Sequence, residues 1–129
     1  MADVLATHLQ TQAVGALGTS LFIDYMPDSP DAQVAVFELA GLGPSYVLDK
    51  GEPLVQTRVQ VFARGAARDY QGPRQKATDV AAALRPIMGT TLSGLRIVEM
   101  SATDNPHLHE RDGKERVVFT QFWEVTHER

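Results

Sequence analysis

Hydrophobic and polar side chains alternate most regularly between residues 54 and 64, where the chain reads LVQTRVQVFAR. Successive side chains of a strand point to opposite faces, so this stretch predicts a strand with one apolar face. Gly65 is expected to end the strand, because glycine interrupts strand patterns. The predicted apolar face carries Val55, Thr57, Val59, Val61 and Ala63, and the more polar face carries Gln56, Arg58, Gln60, Phe62 and Arg64.

The pattern then changes to a helical period, with apolar residues three and four positions apart. We expect a helix from about Pro73 to Met88, because proline suits a first turn and Gly89 suits the position after a last turn. Gly72 or Asp69 is expected to cap its start. Its stripe is Ala77, Val80, Ala81, Leu84 and Ile87 or Met88. The predicted core contains Val59, Val61, Val80, Leu84, Ile97, Phe119 and Trp123.

The remaining patterns predict a short helix and four further strands. The resulting order, α-β-β-β-α-β-β, is typical of an α+β fold, with one long and one short helix on one face of the sheet. We expect a mostly antiparallel (mixed) sheet of about five strands, in which the last two form a long hairpin. The short helix is predicted at residues 3–13 and the strands at 21–27, 33–40, 94–102 and 116–126, with a polar connection at 103–115.

Residues 41–54 contain three glycines and two prolines, which predicts a long loop. The same stretch carries Tyr46, Val47 and Leu48, apolar groups that a merely solvated loop does not need. Two interpretations stay open: a flap packed on its own domain, or an arm that binds a partner.

Composition limits the class of protein. The chain has 129 residues, which predicts a single domain over 1–129, and ordinary hydrophobic and charged fractions of 43% and 22%. It has no cysteine, no run of eighteen apolar residues and no signal-peptide pattern, so no disulfide, membrane span or secretion is expected. A net charge of −4 disfavours nucleic acid as the main partner, although a local basic patch stays possible.

Candidate chemistry is sparse. His107 and His109 share a face of an extended chain and could chelate one ion, but neighbouring cations oppose this and two further ligands are missing. Asp24, Asp28 and Asp31 lie beside prolines, where capping of a turn is the better explanation. No nucleophile, phosphate-binding or zinc-protease motif occurs. We therefore expect no metal, no cofactor and no catalytic residue.

Four stretches together resemble a known family. They are AVGALGTSLFIDYMPDSPD, VAVFELAG, VQTRVQVFARG with DYQGPRQKATDVAAALRPIMG, and the aromatic final strand VVFTQFWEV. In order and spacing they are similar to phage proteins often labelled minor capsid protein, which look like tail terminators or tail completion proteins of long-tailed phages. The charged segment within 103–115 departs from the family pattern.

The resemblance implies a virion structural protein rather than an enzyme. Such proteins form a homomeric ring, a hexamer, on the head-proximal end of the tail tube, where they stop tube polymerisation and join the tail to the head connector. Implied partners are further copies of the chain, the tube protein and the connector protein, with DNA passing through the lumen without specific binding and no membrane. The protein would be made in the host cytoplasm and reside at the head–tail junction.

A ring subunit needs two different lateral surfaces. The candidates for a subunit or partner interface are Tyr46, Val47, Leu48, Arg58, Gln60 and Arg64. Two alternatives stay open: another head–tail junction protein, such as a completion protein, adaptor or minor capsid protein, and a small enzyme with an unrecognised site.

Overall fold

The computed structural model describes residues 1–46 and 53–128, with backbone alone for 41–46 and 53. It contains two helices and seven strands in the order α-β-β-β-α-β-β-β-β. The helices are α1 (Ala2–Thr11) and α2 (Gln71–Leu84). The strands are β1 (Leu21–Ile23), β2 (Gln33–Tyr46), β3 (Pro53–Ala67), β4 (Met88–Leu92), β5 (Leu95–Ala102), β6 (His107–Arg111) and β7 (Arg116–Glu128).

All seven strands belong to one mixed sheet, which confirms the α+β class. The order across the sheet is β1-β2-β3-β7-β5-β4, and β6 also pairs with β7. Only β1 and β2 run parallel among the described pairs; every other pair is antiparallel. The predicted number of about five strands is too low, because β4 and β6 were not predicted.

The two additional strands lack the signal that identifies a buried strand. Every residue of β6, HLHER, is exposed, so apolar and polar positions do not alternate along it. β4 begins at Met88, where the helical pattern was expected to end, and contains Gly89. β5 and β6 lie end to end along one edge of β7, so the predicted hairpin exists but is interrupted at 103–106.

The long loop predicted at 41–54 is wrong over much of its length. β2 continues to Tyr46 and β3 starts at Pro53, and the backbones of these two residues pair with each other. A register shift between Leu39 and Gly43 accommodates the glycine-rich stretch within the ladder. Val47 and Leu48 lie outside the described residues.

Both helices pack on one face of the sheet and enclose the hydrophobic core. The stripe of α2 meets β3 and β7, and α1 contributes Leu5 and Leu9, which are fully buried. Cross-strand register places Val59 opposite Trp123 on this face. All seven predicted core residues are buried, which confirms the assignment of the apolar face and of the helix stripe.

The junction between β3 and α2 explains the glycine at position 65. β3 does not end there, as predicted, but continues to Ala67. A Cβ at Gly65 would lie 2.6 Å from Cδ of Pro73, so the glycine permits close packing of the strand on the first turn of α2. Asp69 accepts a hydrogen bond from the Gly72 N–H at 3.0 Å, as expected of a capping residue.

The end of α2 also differs from the prediction. The helix stops at Leu84, because Pro86 has no N–H to continue the helical ladder. Gly89 was expected just after the helix, but it lies within β4 with a positive φ of 57°.

Candidate functional site

The sheet has a second face, opposite the helices, that no helix covers in the part of the chain that the structure describes. Cross-strand register assigns to it the alternate residues of β2, β3 and β7, including Phe37, Gln60 and Phe122. Four of the five phenylalanines lie on this helix-free face, namely Phe22, Phe37, Phe62 and Phe122. Phe22 is buried, whereas Phe37, Phe62 and Phe122 each keep part of their side chain exposed. Neighbouring apolar side chains that stay partly exposed point to a contact surface.

A groove of about 410 Å³ opens on the helix-free face. Phe37 and Phe62 meet edge to face with ring centroids 5.3 Å apart, and His109 lies at the same distance on the other side of Phe62. Met26 and Leu39 complete an apolar lining. Gln60, Arg64, Glu110 and Asp112 also line the groove, so it combines apolar with polar and charged groups.

Arg64 lies at one end of the groove and is buried. Its guanidinium donates hydrogen bonds of 2.8–3.1 Å to the backbone carbonyls of Pro27, Asp28, Pro30 and Asp31. Burial, and then the positive charge of Arg116, lower the pKa of Arg64. Arg64 was predicted to lie in a subunit or partner interface. Its hydrogen-bond donors are instead used within the domain, where they hold the 27–31 turn against the sheet.

Arg116 is a second buried arginine, and it bonds to Asp112 of the groove lining. It donates to Asp112 at 2.7 Å, Asp28 at 3.0 Å and Asp31 at 3.1 Å. Lys114 also contacts Asp28, and the hydrogen bonds from Lys114 and Arg116 lower the pKa of Asp28. Burial alone lowers the pKa of Arg116, but its three carboxylate partners outweigh that effect and raise it. The two arginines and three aspartates form a cluster that we call the arginine clamp.

The remaining predicted interface residues of β3 lie on the helix-free face. Gln60 Nε2 donates to Thr120 Oγ1 at 3.0 Å and lines the groove. Arg58 is half-buried, and its Nε has no hydrogen-bond acceptor among the described residues. Tyr46 lies at the far end of β2, where its backbone pairs with Pro53. The structure therefore brings Arg58, Gln60 and Arg64 onto one surface.

A comparison with protein families identifies the chain. The model of the family described as "Bacteriophage tail terminator protein" matches residues 8–122. This chain belongs to the bacteriophage tail terminator family. It is therefore a structural protein of the phage virion, with its place in the tail.

The fold also has a relative among solved structures. One similar chain comes from the virion of a native gene transfer agent particle, with 16% sequence identity and a TM-score of 0.70. The similarity covers 100% of this chain and 95% of that chain. No curated protein matches the sequence. At 16% identity the structural similarity shows a shared fold and nothing more. The assignment to the phage tail rests on the family match.

The two histidines of β6 in this tail protein make separate contacts within the domain. His107 Nδ1 lies 2.9 Å from the carbonyl of Asn105 and 3.3 Å from Asp104, whereas His109 packs on Phe62. No group of three or more potential ligands is present among residues 1–46 and 53–128. Neither helix in the described residues is long and apolar enough to cross a membrane.

The sequence interpretation missed the aromatic groove and the role of Arg116. A signal for the groove was present, because Phe37, Phe62 and Phe122 occupy the strand positions that alternate with the predicted core. Of the partners of Arg116 only Asp112 is near in sequence, whereas Asp28 and Asp31 are more than eighty positions away, so the cluster as a whole gave no local signal.

Proposed function

We propose that this protein forms a homomeric ring, a hexamer, on the head-proximal end of the tail tube, where it stops tube polymerisation and joins the tail to the head connector. The family match over residues 8–122 is the observation that carries the proposal. Its partners are other copies of the chain, the tube protein and the connector protein. Its role is structural, without catalytic turnover, and it acts at the head–tail junction after synthesis in the host cytoplasm.

The helix-free face is the surface that we assign to assembly. Its groove exposes parts of Phe37, Phe62 and Leu39 that packing within the described chain does not cover. Covering such apolar area is favourable by about 25 cal/mol per Å², so the face supplies a driving force for association. Arg58 and Gln60 lie on the same surface, where their polar groups set the register of the contact more than its strength.

Tyr46, Val47 and Leu48 are proposed as a second part of the interface, at the junction of β2 and β3. This assignment rests on the sequence, which places three apolar residues in a glycine-rich stretch. Hydrogen exchange of 41–54 in the free and the assembled protein tests it. Slower exchange on assembly is expected, and equal exchange in both states would remove these residues from the interface.

The charge of the chain is compatible with a ring through which DNA passes. Specific or tight binding of DNA requires a concentration of basic groups, and the net charge here is −4. A lumen without a strong positive field would let DNA pass without retaining it.

Deletion of the gene from its phage, followed by electron microscopy of the lysate, tests the function. Tails of uncontrolled length, separate from DNA-filled heads, are expected. Complementation with the wild-type gene should restore attached tails of uniform length. Attached tails of normal length in the deletion would contradict the assignment.

A further inference from the structure

The groove on the helix-free face is open to solvent and partly apolar, and a ring of identical subunits limits which part of a second copy could fill it. In a ring closed by rotation, each subunit offers one patch to one neighbour and a different patch to the other. An occupant from a second copy must therefore lie on a part of the surface separate from the groove. It should also be apolar, to match Phe37, Phe62 and Leu39, and carry a positive charge, to match Glu110 of the groove lining.

Among the described residues, four large apolar side chains are strongly exposed. Tyr25 lies beside the groove, because it precedes Met26 of the groove lining. Tyr70 and Leu108 lie on the helix side of the sheet, where Tyr70 already packs on Phe119, the register partner of Leu108. The fourth, Met88, is 70% exposed and opens β4, the strand at the opposite end of the sheet from β1.

Met88 also has the required charge beside it. Arg85 is exposed and lies three positions earlier, in the connection between α2 and β4. Within the described residues, Arg85 takes part in no ion pair, and neither does Glu110 of the groove lining. One free cation and one free anion thus accompany the two complementary apolar surfaces.

We propose that Met88 of one copy inserts into the groove between Phe37, Phe62 and His109 of the next copy, with Arg85 facing Glu110. The inference rests on the proposed ring and names its lateral contact. A methionine side chain is flexible and packs well against aromatic rings, so it suits a groove with an aromatic floor. The contact joins two different patches and can therefore propagate from copy to copy until the ring closes.

Disulfide trapping tests the contact directly, because the chain contains no cysteine of its own. The double variant carries Met88→Cys and His109→Cys and is assembled on tail tubes and oxidised. It should give a ladder of covalently linked oligomers, up to the size of the complete ring. A disulfide forms only where the two Cα atoms lie within about 7 Å, so trapping reports proximity. The matched control, Met88→Cys with Thr78→Cys on the exposed side of α2, should give no ladder.

Charge exchange provides an independent readout. Arg85→Glu and Glu110→Arg should each weaken assembly, by up to about five-fold for an exposed pair, and the double exchange should restore it. If the double-cysteine variant forms rings and tails of controlled length but gives no ladder, the proposed contact is wrong and the proposed function still stands. An equal ladder in the control variant, or no restoration by the double exchange, would also overturn it. A wild-type protein that never forms a ring would remove both proposals.

Discussion

Individual charged residues hold the 27–31 turn on the sheet. Arg64 bonds to four backbone carbonyls, and Arg116 bonds to three carboxylates from two separate segments. Hydrogen bonds that involve charged groups contribute more than neutral ones, about 1.5–3 kcal/mol each when a partner is removed. Arg64 and Asp112 of the arginine clamp also line the groove, so the clamp connects the stability of the domain to the shape of its contact surface.

Replacement of Arg116 by glutamine should therefore destabilise the isolated protein. We expect the free energy of unfolding to fall by about 1.5–3 kcal/mol, because the buried guanidinium is lost while its partners remain partly hydrated. Urea unfolding at pH 7 measures this. The matched control is Glu115→Gln, which removes an exposed ion pair with Arg68 and should cost less than about 1 kcal/mol. Similar midpoints for both variants would contradict a structural role of the clamp.

The same cluster predicts a loss of stability in acid. The pKa of Asp28 lies below its ordinary value of 3.8, chiefly because Lys114 and Arg116 donate to it. Burial raises the pKa of Asp112, but hydrogen bonds from Arg116 and Lys114 outweigh this and lower it. A depressed pKa means that the folded state binds fewer protons. This contribution to stability is complete above the unfolded pKa and is lost as the pH falls through the folded pKa.

Stability curves between pH 7 and pH 2 test this expectation. The free energy of unfolding should decline below about pH 5 as the aspartates take up protons. In the Arg116→Gln variant the decline should be shallower, because one source of the lowered pKa values is absent. Parallel curves for wild type and variant would show that the clamp does not control the acid response.

At the scale of elements, the helix stripe and the alternation of β3 were predictable because burial enforces a period. α2 turns one stripe toward the sheet, and Leu84 at its end is fully buried. β4 and β6 were not predictable in the same way. β6 has no buried residue, and backbone pairing with β7 fixes its place in the sheet. Backbone pairing alone does not require apolar and polar side chains to alternate, so the sequence of β6 carries no strand pattern.

Truncation of Leu84 to alanine tests the contribution of α2. A fully buried leucine replaced by alanine costs about 2–5 kcal/mol, depending on how far the cavity collapses. Urea unfolding of the isolated protein provides the value. Met88→Ala serves as the control, since its exposed side chain should change the free energy of unfolding by less than about 0.5 kcal/mol. An unchanged midpoint for Leu84→Ala would show that α2 is not part of the core.

At the scale of the whole molecule, the two faces of the sheet have different roles. One face is sealed by α1 and α2 and carries the core. The other carries four phenylalanines and the groove and has no helical cover in the described chain. A tail protein that works in an assembly can use its neighbours to complete this second layer.

Replacement of Phe62 by serine should separate assembly from folding. We expect the isolated variant to stay folded, with a loss of about 1–2 kcal/mol, because Phe62 is only half-buried. Its assembly on tail tubes should fail, since the centre of the groove is removed. The matched control is Tyr70→Ser on the helix side, where an aromatic ring also packs edge to face on a phenylalanine. Normal assembly of Phe62→Ser, or equal failure of both variants, would contradict the role of the helix-free face.

The α+β class, the helix-covered face and the core could be predicted from the residues alone, because burial of one face imposes periods of two and 3.6 on the side chains. The family likeness was also present in the sequence. The inward turn of Arg64 and the contacts of Arg116 with Asp28 and Asp31 became apparent only in the folded domain. Those contacts join segments that are distant in sequence, and the local alternation of apolar and polar residues does not indicate such a pairing. The groove likewise depends on the register of β2 with β3 and of β3 and β6 with β7, which the backbone sets across the sheet.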